Sequence, residues 1–189
     1  MDDPRLTRLA EPHVKPLTDL IRGMRQRGLQ VPNVDPAGAG VLARALFLFE
    51  TPGPKAVRFG FISPENGDPA AINLLESLAQ AGLRTHELLF WNAVPYCVSS
   101  TESNRNATAR DIIRAVPDTQ AFIDAVSSLR VVIFCGRQAQ RAIKHLRVRP
   151  GVKCLQTFHT GAQAYNHKHL SAHIHATFRE VAALLAAQH

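Results

Sequence analysis

The chain has 189 residues, of which 46% are hydrophobic and 20% charged, values ordinary for a globular protein with one substantial core. Its apolar runs are too short for a transmembrane helix, and it does not open with a basic region followed by an apolar one. We therefore expect a cytoplasmic protein without membrane association. The formal charge of +7 favours a polyanionic partner such as nucleic acid, although many basic enzymes have other substrates.

Extended and helical segments alternate along the chain after an N-terminal part, residues 1–40, of amphipathic helices and a Pro/Gly-rich connector. The first strand is a continuous apolar run, which indicates burial on both faces as in a parallel sheet. The predicted strands are Val41–Glu50, Glu87–Val94, Leu129–Cys135 and Lys153–Phe158. We predict an α/β fold of three layers, α/β/α, with a four-stranded, mostly parallel central sheet. Residues 1–189 form a single domain in this interpretation, with the α/β core in residues 41–189.

The helices are predicted from their caps and breakers. Asp68 and Pro69 suit the N-cap and first position of a helix that ends at Gly82. Before it, Lys55–Asp68 is predicted to be a long loop, a length that usually indicates function. The later helices are predicted at Thr108–Ala115, Asp118–Ser127, Gly136–Leu146 and Lys168–Ala187. Pro117 divides the first two of these, because proline ordinarily breaks a helix.

Polar side chains stand at three of the predicted strand ends: Glu50, Asn92 and His159. Ligands of parallel α/β sheets bind outside the carboxyl ends of the strands, so these side chains can meet in one crevice. Glu50 suits a general base or a carboxylate that stabilises a cation; alternatively it is paired with an arginine. Asn92 matches the acceptor and donor on a pyrimidine edge; alternatively it bonds neighbouring backbone. His159 suits a donor to an oxygen that becomes negative; alternatively it is structural.

Two aromatic residues of the predicted loop, Phe59 and Phe61, are candidates for a platform on which a base stacks. Equally, one of the two rings can fill the core. Basic residues also cluster between Arg137 and Lys153, as either a solvated helix face or a track for phosphates. Gly136-Arg137-Gln138 lies at a strand-to-helix turn, a position that can hold a phosphate. No dinucleotide, P-loop or GxSxG motif accompanies it.

A metal site is not expected. The three cysteines, Cys97, Cys135 and Cys154, are scattered rather than in CxxC spacing, which argues against an iron–sulfur cluster or structural zinc. Cys135 ends an apolar strand and is interpreted as a small buried hydrophobe. His169 and His173 have i, i+4 spacing in a histidine-rich stretch, but no acidic or cysteine partner stands beside them. A solvated helix start is the simpler interpretation of that stretch.

Three segments, in this order, resemble the motifs of the uracil-DNA glycosylase superfamily. They are Phe49-Glu50-Thr51-Pro52-Gly53, Leu88-Leu89-Phe90-Trp91-Asn92-Ala93-Val94-Pro95 and His159-Thr160-Gly161-Ala162-Gln163. The first resembles a motif whose iron–sulfur branches read Gly-Glu-Ala/Gly-Pro-Gly. The second is similar to the strand that ends in the pyrimidine-reading asparagine. The third is similar to the second catalytic motif, usually His-Pro-Ser followed by a short insertion loop. The resemblance covers roughly residues 42–183.

The resemblance implies a monofunctional hydrolase of base excision repair that removes uracil from double- or single-stranded DNA, with no cofactor and no metal. Such enzymes act on a flipped-out base, and we expect this one to be a monomer. By resemblance, Glu50 would hold or activate water and His159 would stabilise the uracil anion. Asn92 would read the edge of the base, and Phe61 would stack on it.

The resemblance also assigns binding roles around these residues. Pro52 and Gly53 would form the mouth of the pocket, where glycine permits close approach. The insertion loop, with Thr160, Gly161 and Gln163, would press into the duplex where the base has left it.

The chain also departs from the superfamily's usual motifs. Thr51 stands where some branches place Asp or Asn, so either Glu50 or Thr51 would position the water. Phe49 replaces the usual glycine, Thr160-Gly161 replaces Pro-Ser, and Gln163 stands where an apolar wedge is common. The four cysteines of the iron–sulfur branches are absent, which indicates a cluster-free, divergent member. Alternatives are excision of hypoxanthine, xanthine or mismatched thymine, a non-catalytic module for single-stranded or abasic DNA, and a small-molecule α/β enzyme.

Overall fold

The computed structural model describes residues 3–98 and 105–187. The helices are α1 Lys15–Gln26, α2 Pro54–Phe59, α3 Pro69–Gln80, α4 Ala109–Ala125, α5 Arg137–Arg141, α6 Ala162–Tyr165 and α7 Lys168–Ala186. The strands are β1 Asn33–Val34, β2 Ala45–Phe49, β3 Phe61–Ile62, β4 Leu88–Asn92, β5 Val131–Cys135 and β6 Lys153–Thr157. Short 3-10 helices lie at Pro4–Ala10, Gly40–Leu42, Thr85–Glu87 and Ile143–His145. Within the described residues, no helix combines the length and apolar character needed to cross a membrane.

Four strands form the central sheet, in the order β4-β2-β5-β6, with every pairing parallel. This confirms the predicted α/β fold with a four-stranded sheet. The chain passes from β2 to β4 on one side and from β5 to β6 on the other, so its connections diverge between β2 and β5. Such a switch point is where parallel α/β sheets bind ligands. Glu50 and Gly136 follow β2 and β5 at this edge.

Aromatic side chains fill the core on both faces of the sheet. On one face, the ring of Phe47 lies 5.5 Å from that of Phe90 and 5.1 Å from that of Phe178 in α7. On the other, Trp91 stacks on Phe122 of α4 with ring centroids 4.0 Å apart. Successive residues of a strand point to opposite faces, so Phe90 and Trp91 contact the two helical layers in turn. All five rings are at most 5% exposed.

The N-terminal region contacts the segment between β2 and α3. β1 and β3 pair in a separate parallel sheet of two strands. The guanidinium carbon of Arg5 lies 4.1 Å from the ring centroid of Phe61, which is 1% exposed. Arg5 also donates to Asp3 at 2.6 Å and to Asp35 at 3.3 Å. These contacts connect the start of the chain to β3, immediately before residues that line the candidate site.

One continuous helix, α4, runs through Pro117, so the prediction of two helices divided there is wrong. Pro117 has no N–H for the carbonyl four residues earlier, which is the local reason to expect a break. The helix continues because its inner face is buried on both sides of the proline, at Ile112 and Phe122. Thr108 begins the helix with a capping box completed by Asp111.

The segment Lys55–Asp68 is not the long loop that was predicted, because it contains α2 and β3. Pro54 begins α2 at its first position, and Gly60 ends it in the left-handed conformation with φ of 75°. Likewise, β2 begins at Ala45 rather than Val41, because residues 40–42 form a 3-10 turn.

The predicted caps of α3 are confirmed. The Asp68 carboxylate accepts from the Ala71 N–H at 3.0 Å, and Gly82 follows the helix with φ of 71°. The predicted helix Gly136–Leu146 is shorter and consists of α5 followed by a 3-10 turn.

Candidate active site

A cavity of ≈140 Å³ lies beyond the carboxyl ends of β2 and β4. A single water needs about 10–15 Å³ on this scale, so the cavity has room for a small ring. The predicted site residues that line it are Thr51, Pro52, Gly53, Asn92, His159 and Thr160. Asn92 and His159 therefore meet at one edge of the sheet, as predicted from their places at strand ends. Glu50, the third residue of that prediction, does not line this cavity.

Asn92 places an amide in this cavity with an acceptor that has no partner. The residue is 3% exposed, and its Oδ1 accepts no hydrogen bond from the described part of the chain. A buried polar atom without a partner costs about 1–3 kcal/mol, so buried amides are normally satisfied. Backbone neighbours do not satisfy this oxygen, in contrast to the structural interpretation of Asn92. The oxygen is therefore available to a ligand that carries an N–H.

His159 is held as a neutral donor. Its Nδ1 accepts a hydrogen bond of 2.8 Å from the Gly161 N–H, which leaves the ring proton on Nε2. Burial lowers the pKa of His159, an effect that the negative charge of Asp68 only partly opposes. The ring also packs edge to face against Phe49, with centroids 5.5 Å apart. At neutral pH, His159 can therefore donate one hydrogen bond from Nε2 to a ligand.

Two glycines make room for the His159 ring. Gly136 has φ of 89°, and a Cβ there would lie 3.1 Å from the His159 Cβ. A Cβ on Gly161 would lie 3.0 Å from Nδ1, against the side of the ring that receives the Gly161 N–H. Larger residues at these two positions would displace the imidazole. The orientation of His159 thus depends on the turns that follow β5 and β6.

Glu50 lies on the other side of His159, in an open groove of ≈730 Å³ that His159 also lines. Its Oε1 accepts from the Ala107 N–H at 2.6 Å. Burial raises the pKa of Glu50, although the Ala107 bond and the charge of Arg141 act in the opposite direction. Among the residues described, no basic side chain forms a salt bridge with Glu50. Thr51 lines the cavity and Glu50 the groove, so the two occupy different compartments.

Comparison with family models identifies the superfamily of the chain. The model of the Uracil DNA glycosylase superfamily matches residues 41–183. The chain belongs to this superfamily. A comparison with individual curated proteins returns no match. Membership of the uracil DNA glycosylase superfamily indicates a DNA glycosylase of base excision repair and therefore a DNA partner.

The insertion loop of this superfamily member is attached to α3. The buried Thr160 hydroxyl donates to the Ala70 carbonyl at 2.9 Å, and Asn73 donates to the Thr160 carbonyl at 2.8 Å. Thr160 therefore lines the cavity with its hydroxyl already engaged. Further along, Gly161 and Gln163 line the groove beside Glu50, and Gln163 is exposed on α6.

Phe61 is not placed as a stacking platform. Its ring is buried against Arg5 and is absent from the cavity lining, whereas Phe59 is exposed on α2 and does not line the cavity either. The structure thus agrees with the alternative in which one of the two rings fills the core, and Phe61 is that ring. The reason is that β3 pairs Phe61 with Asn33, which turns the segment inward. Phe49 and Phe90 supply the aromatic walls of the cavity instead.

Several residues of the site escaped sequence reasoning. Phe90 stands two positions before Asn92 on β4, so strand alternation places both on one face and could have identified it. The Ala107 N–H has no signal in the sequence, because backbone donors are common to nearly all residues. Arg141 acts on Glu50 only through the close approach of α5 to β2.

The histidine-rich stretch does not form a metal centre in the described residues, where no group of three or more metal-binding side chains comes together. His175 Nε2 lies 3.0 Å from the Tyr165 hydroxyl, which also contacts Ser77. His173 packs edge to face against Phe158, with centroids 5.2 Å apart. These histidines connect α7 to the insertion loop and to the end of β6.

Proposed function

We propose that this superfamily member releases uracil from DNA by hydrolysis of the N-glycosidic bond. The observation that carries the proposal is the buried, unpartnered Asn92 Oδ1 in a small cavity that it shares with His159. Uracil presents an imino N–H between two carbonyl oxygens. Asn92 can accept from that N–H and donate to one of the oxygens. Cytosine has no imino N–H to offer, so the same amide favours uracil.

His159 would act on the charge that the reaction produces. When the C1′–N bond breaks, its electron pair moves onto the base, and a carbonyl oxygen of uracil gains negative charge. The Nε2–H of His159 is the donor for that oxygen, held in place by the Gly161 bond at 2.8 Å. Removing a pre-oriented donor of this kind costs about 100–1000-fold in rate. A neutral ring is a donor that does not have to be protonated first.

Glu50 would complete the reaction from the groove side. The sugar becomes cationic as the bond breaks, and an ionised carboxylate nearby stabilises it. Water then forms a bond from its oxygen to C1′, and its proton passes to Oε2, the oxygen that does not receive the Ala107 bond. We assign this role to Glu50 rather than Thr51, because Thr51 lies with Asn92 on the base side.

The direct test is release of base from a labelled oligonucleotide with one uracil, followed by alkaline cleavage of abasic sites. We expect cleavage with EDTA present, in single-stranded, double-stranded or both substrates. Intact strands at high enzyme excess would refute the proposal.

Base preference is measured by placing hypoxanthine, xanthine or mismatched thymine at the uracil position of the same oligonucleotide. Hypoxanthine also offers an imino N–H beside a carbonyl, so it is the competitor that Asn92 discriminates least. We expect uracil to react fastest, because the cavity of ≈140 Å³ suits one ring better than two. Faster release of hypoxanthine would reassign the substrate while leaving the reaction unchanged.

A further inference from the structure

The groove beside the cavity differs from the cavity in the residues that line it. It is bounded by the turn from β5 to α5 and by the loop from β6 to α6, and it holds ≈730 Å³. His159 lines both compartments, so the groove borders the cavity. A nucleotide whose base occupied the cavity would have its neighbour along the strand at or near this groove. In the proposed reaction, Glu50 is the residue through which the groove takes part.

Phe158 is an exposed aromatic residue in this groove. It directly precedes His159, and 40% of its surface is exposed. The centroid of the Phe158 ring lies 5.2 Å from that of the His173 ring, so a residue of α7 supports the phenyl group on one side. An exposed ring that is held in one orientation is the form of side chain on which unpaired bases stack. The sequence places it at the end of β6, where the sheet positions it relative to His159.

The charges around Phe158 suit a phosphate backbone. Arg137 and His167 line the same groove and are both exposed, on opposite walls formed by α5 and the start of α7. Gln138 and Gln163 add neutral donors. Within residues 3–98 and 105–187, Glu50 is the one acidic residue that lines the groove, at the end next to His159. A polyanion would therefore meet the cationic Arg137 and neutral donors along these walls, with the Glu50 carboxylate at the end next to His159.

We propose that the groove binds the DNA segment adjacent to the flipped nucleotide as a single strand, with one base stacked on Phe158. This inference rests on the proposed function for its DNA substrate, and it adds a strand preference and a residue that the superfamily motifs do not assign. A base in a duplex is already covered on both faces by its neighbours. Stacking on Phe158 therefore needs a strand that is unpaired at that position, in single-stranded DNA or in a locally opened duplex.

Binding to an abasic analogue tests the groove without depending on base release. The probes are a fluorescein-labelled oligonucleotide with one tetrahydrofuran abasic residue, as a single strand and as a duplex. Phe158→Leu removes the ring but keeps apolar bulk, and Phe59→Leu is its matched control, because Phe59 is 42% exposed yet lines neither the groove nor the cavity. We expect Phe158→Leu to weaken single-strand binding about tenfold, within the range for one stacked base. Duplex binding should change much less, and Phe59→Leu should bind like the wild type.

A fluorescent base shows the stacking itself. With 2-aminopurine placed next to the abasic residue, on one side or the other, wild-type protein should quench its fluorescence in one of the two positions. Phe158→Leu should abolish that quenching while Phe59→Leu retains it. Equal affinities of Phe158→Leu and wild type for the single strand, or quenching that survives in Phe158→Leu, would overturn the proposal.

The two proposals fail in distinguishable ways. If wild-type protein binds the abasic strand in a Phe158-dependent manner but releases no uracil, the groove proposal stands and the proposed function fails. If uracil is released and Phe158→Leu matches the wild type in binding and quenching, the proposed function stands and the groove proposal is wrong.

Discussion

His159 separates two regions that differ in how they are built. The cavity on one side is lined by residues at the ends of β2 and β4 and by the segment between these strands, and several of its polar residues, among them Asn66, Asn92 and Thr160, are buried. The groove on the other side is lined by turns and short helices, and its side chains are largely exposed. The cavity is thus suited to selecting a base by shape and hydrogen bonding. The groove is suited to holding a flexible strand and to admitting water.

The largest expected effect is that of substituting His159, which lies between the cavity and the groove. His159→Ala removes the Nε2 donor, and we expect kcat for uracil release to fall about 100–1000-fold. Binding to the abasic oligonucleotide should change far less, because the donor acts on charge that develops during the reaction. Single-turnover kinetics separate the two quantities.

The control is His86→Ala, because His86 is exposed in the turn before β4, at the amino end of the sheet. A loss of rate in His86→Ala equal to that in His159→Ala would mean that the boundary position of His159 is not what matters.

The next effect belongs to the groove side. Glu50→Gln retains the acceptor for Ala107 but removes the charge, and we expect a rate loss of about 100-fold or more, as for other general bases. Because burial raises the pKa of Glu50, wild-type activity should fall as the pH drops through that raised value. Glu50→Gln should lose this acidic limb. A pH–rate profile that keeps the limb in Glu50→Gln would assign it to another group. Glu180→Gln, at an exposed position of α7, is the matched control.

The same substitution should affect stability in the opposite direction. A carboxyl whose folded pKa is raised costs stability when it ionises, so that the folded state loses stability as the pH rises from the ordinary to the raised pKa. Glu50→Gln should therefore have a higher Tm than the wild type at pH 7, and the difference should vanish in acid, below the ordinary carboxyl pKa. Thermal melts at the two pH values check this, and a Tm at pH 7 below that of the wild type would contradict it.

The smallest expected effect tests whether Gly136 orients His159. Gly136→Ala introduces strain at φ of 89° and places a Cβ 3.1 Å from that of His159. We expect a loss of stability of about 1–3 kcal/mol from the strain and a further loss of activity from displacement of the ring.

Gly28→Ala is the control for strain alone, since φ there is 81° and a Cβ would contact nothing within 4 Å. It should lose stability but not activity per folded molecule. Equal activities of the two variants, measured where both are folded, would show that Gly136 does not orient His159.

Sequence reasoning anticipated the cavity better than the groove, and the difference has a physical cause. A parallel sheet brings its carboxyl ends together, so Asn92 and His159 could be placed in one crevice from the strand pattern alone, whereas Thr51 was suggested only by the resemblance to the superfamily. The Ala107 N–H that holds Glu50 comes from a segment with no regular pattern. Phe61 was misplaced because its burial depends on pairing with β1, nearly thirty residues earlier. The break predicted at Pro117 was wrong because burial of the inner face of α4 outweighs the local tendency of proline to end a helix.

The superfamily match begins at residue 41, but the pairing partner of β3 lies before it. Ile62 of β3 and the next two residues form part of the cavity wall, and Arg5 covers Phe61 behind them. A chain shortened to the matched residues would expose the unpaired edge of β3 and the face of Phe61 to water. The shortening would also remove Leu17, Ile21 and Met24 of α1 from the main core, so we expect such a chain to lose stability together with the support of the cavity wall. The first forty residues thus belong to the core of the same folding unit, although no described residue among them lines the cavity.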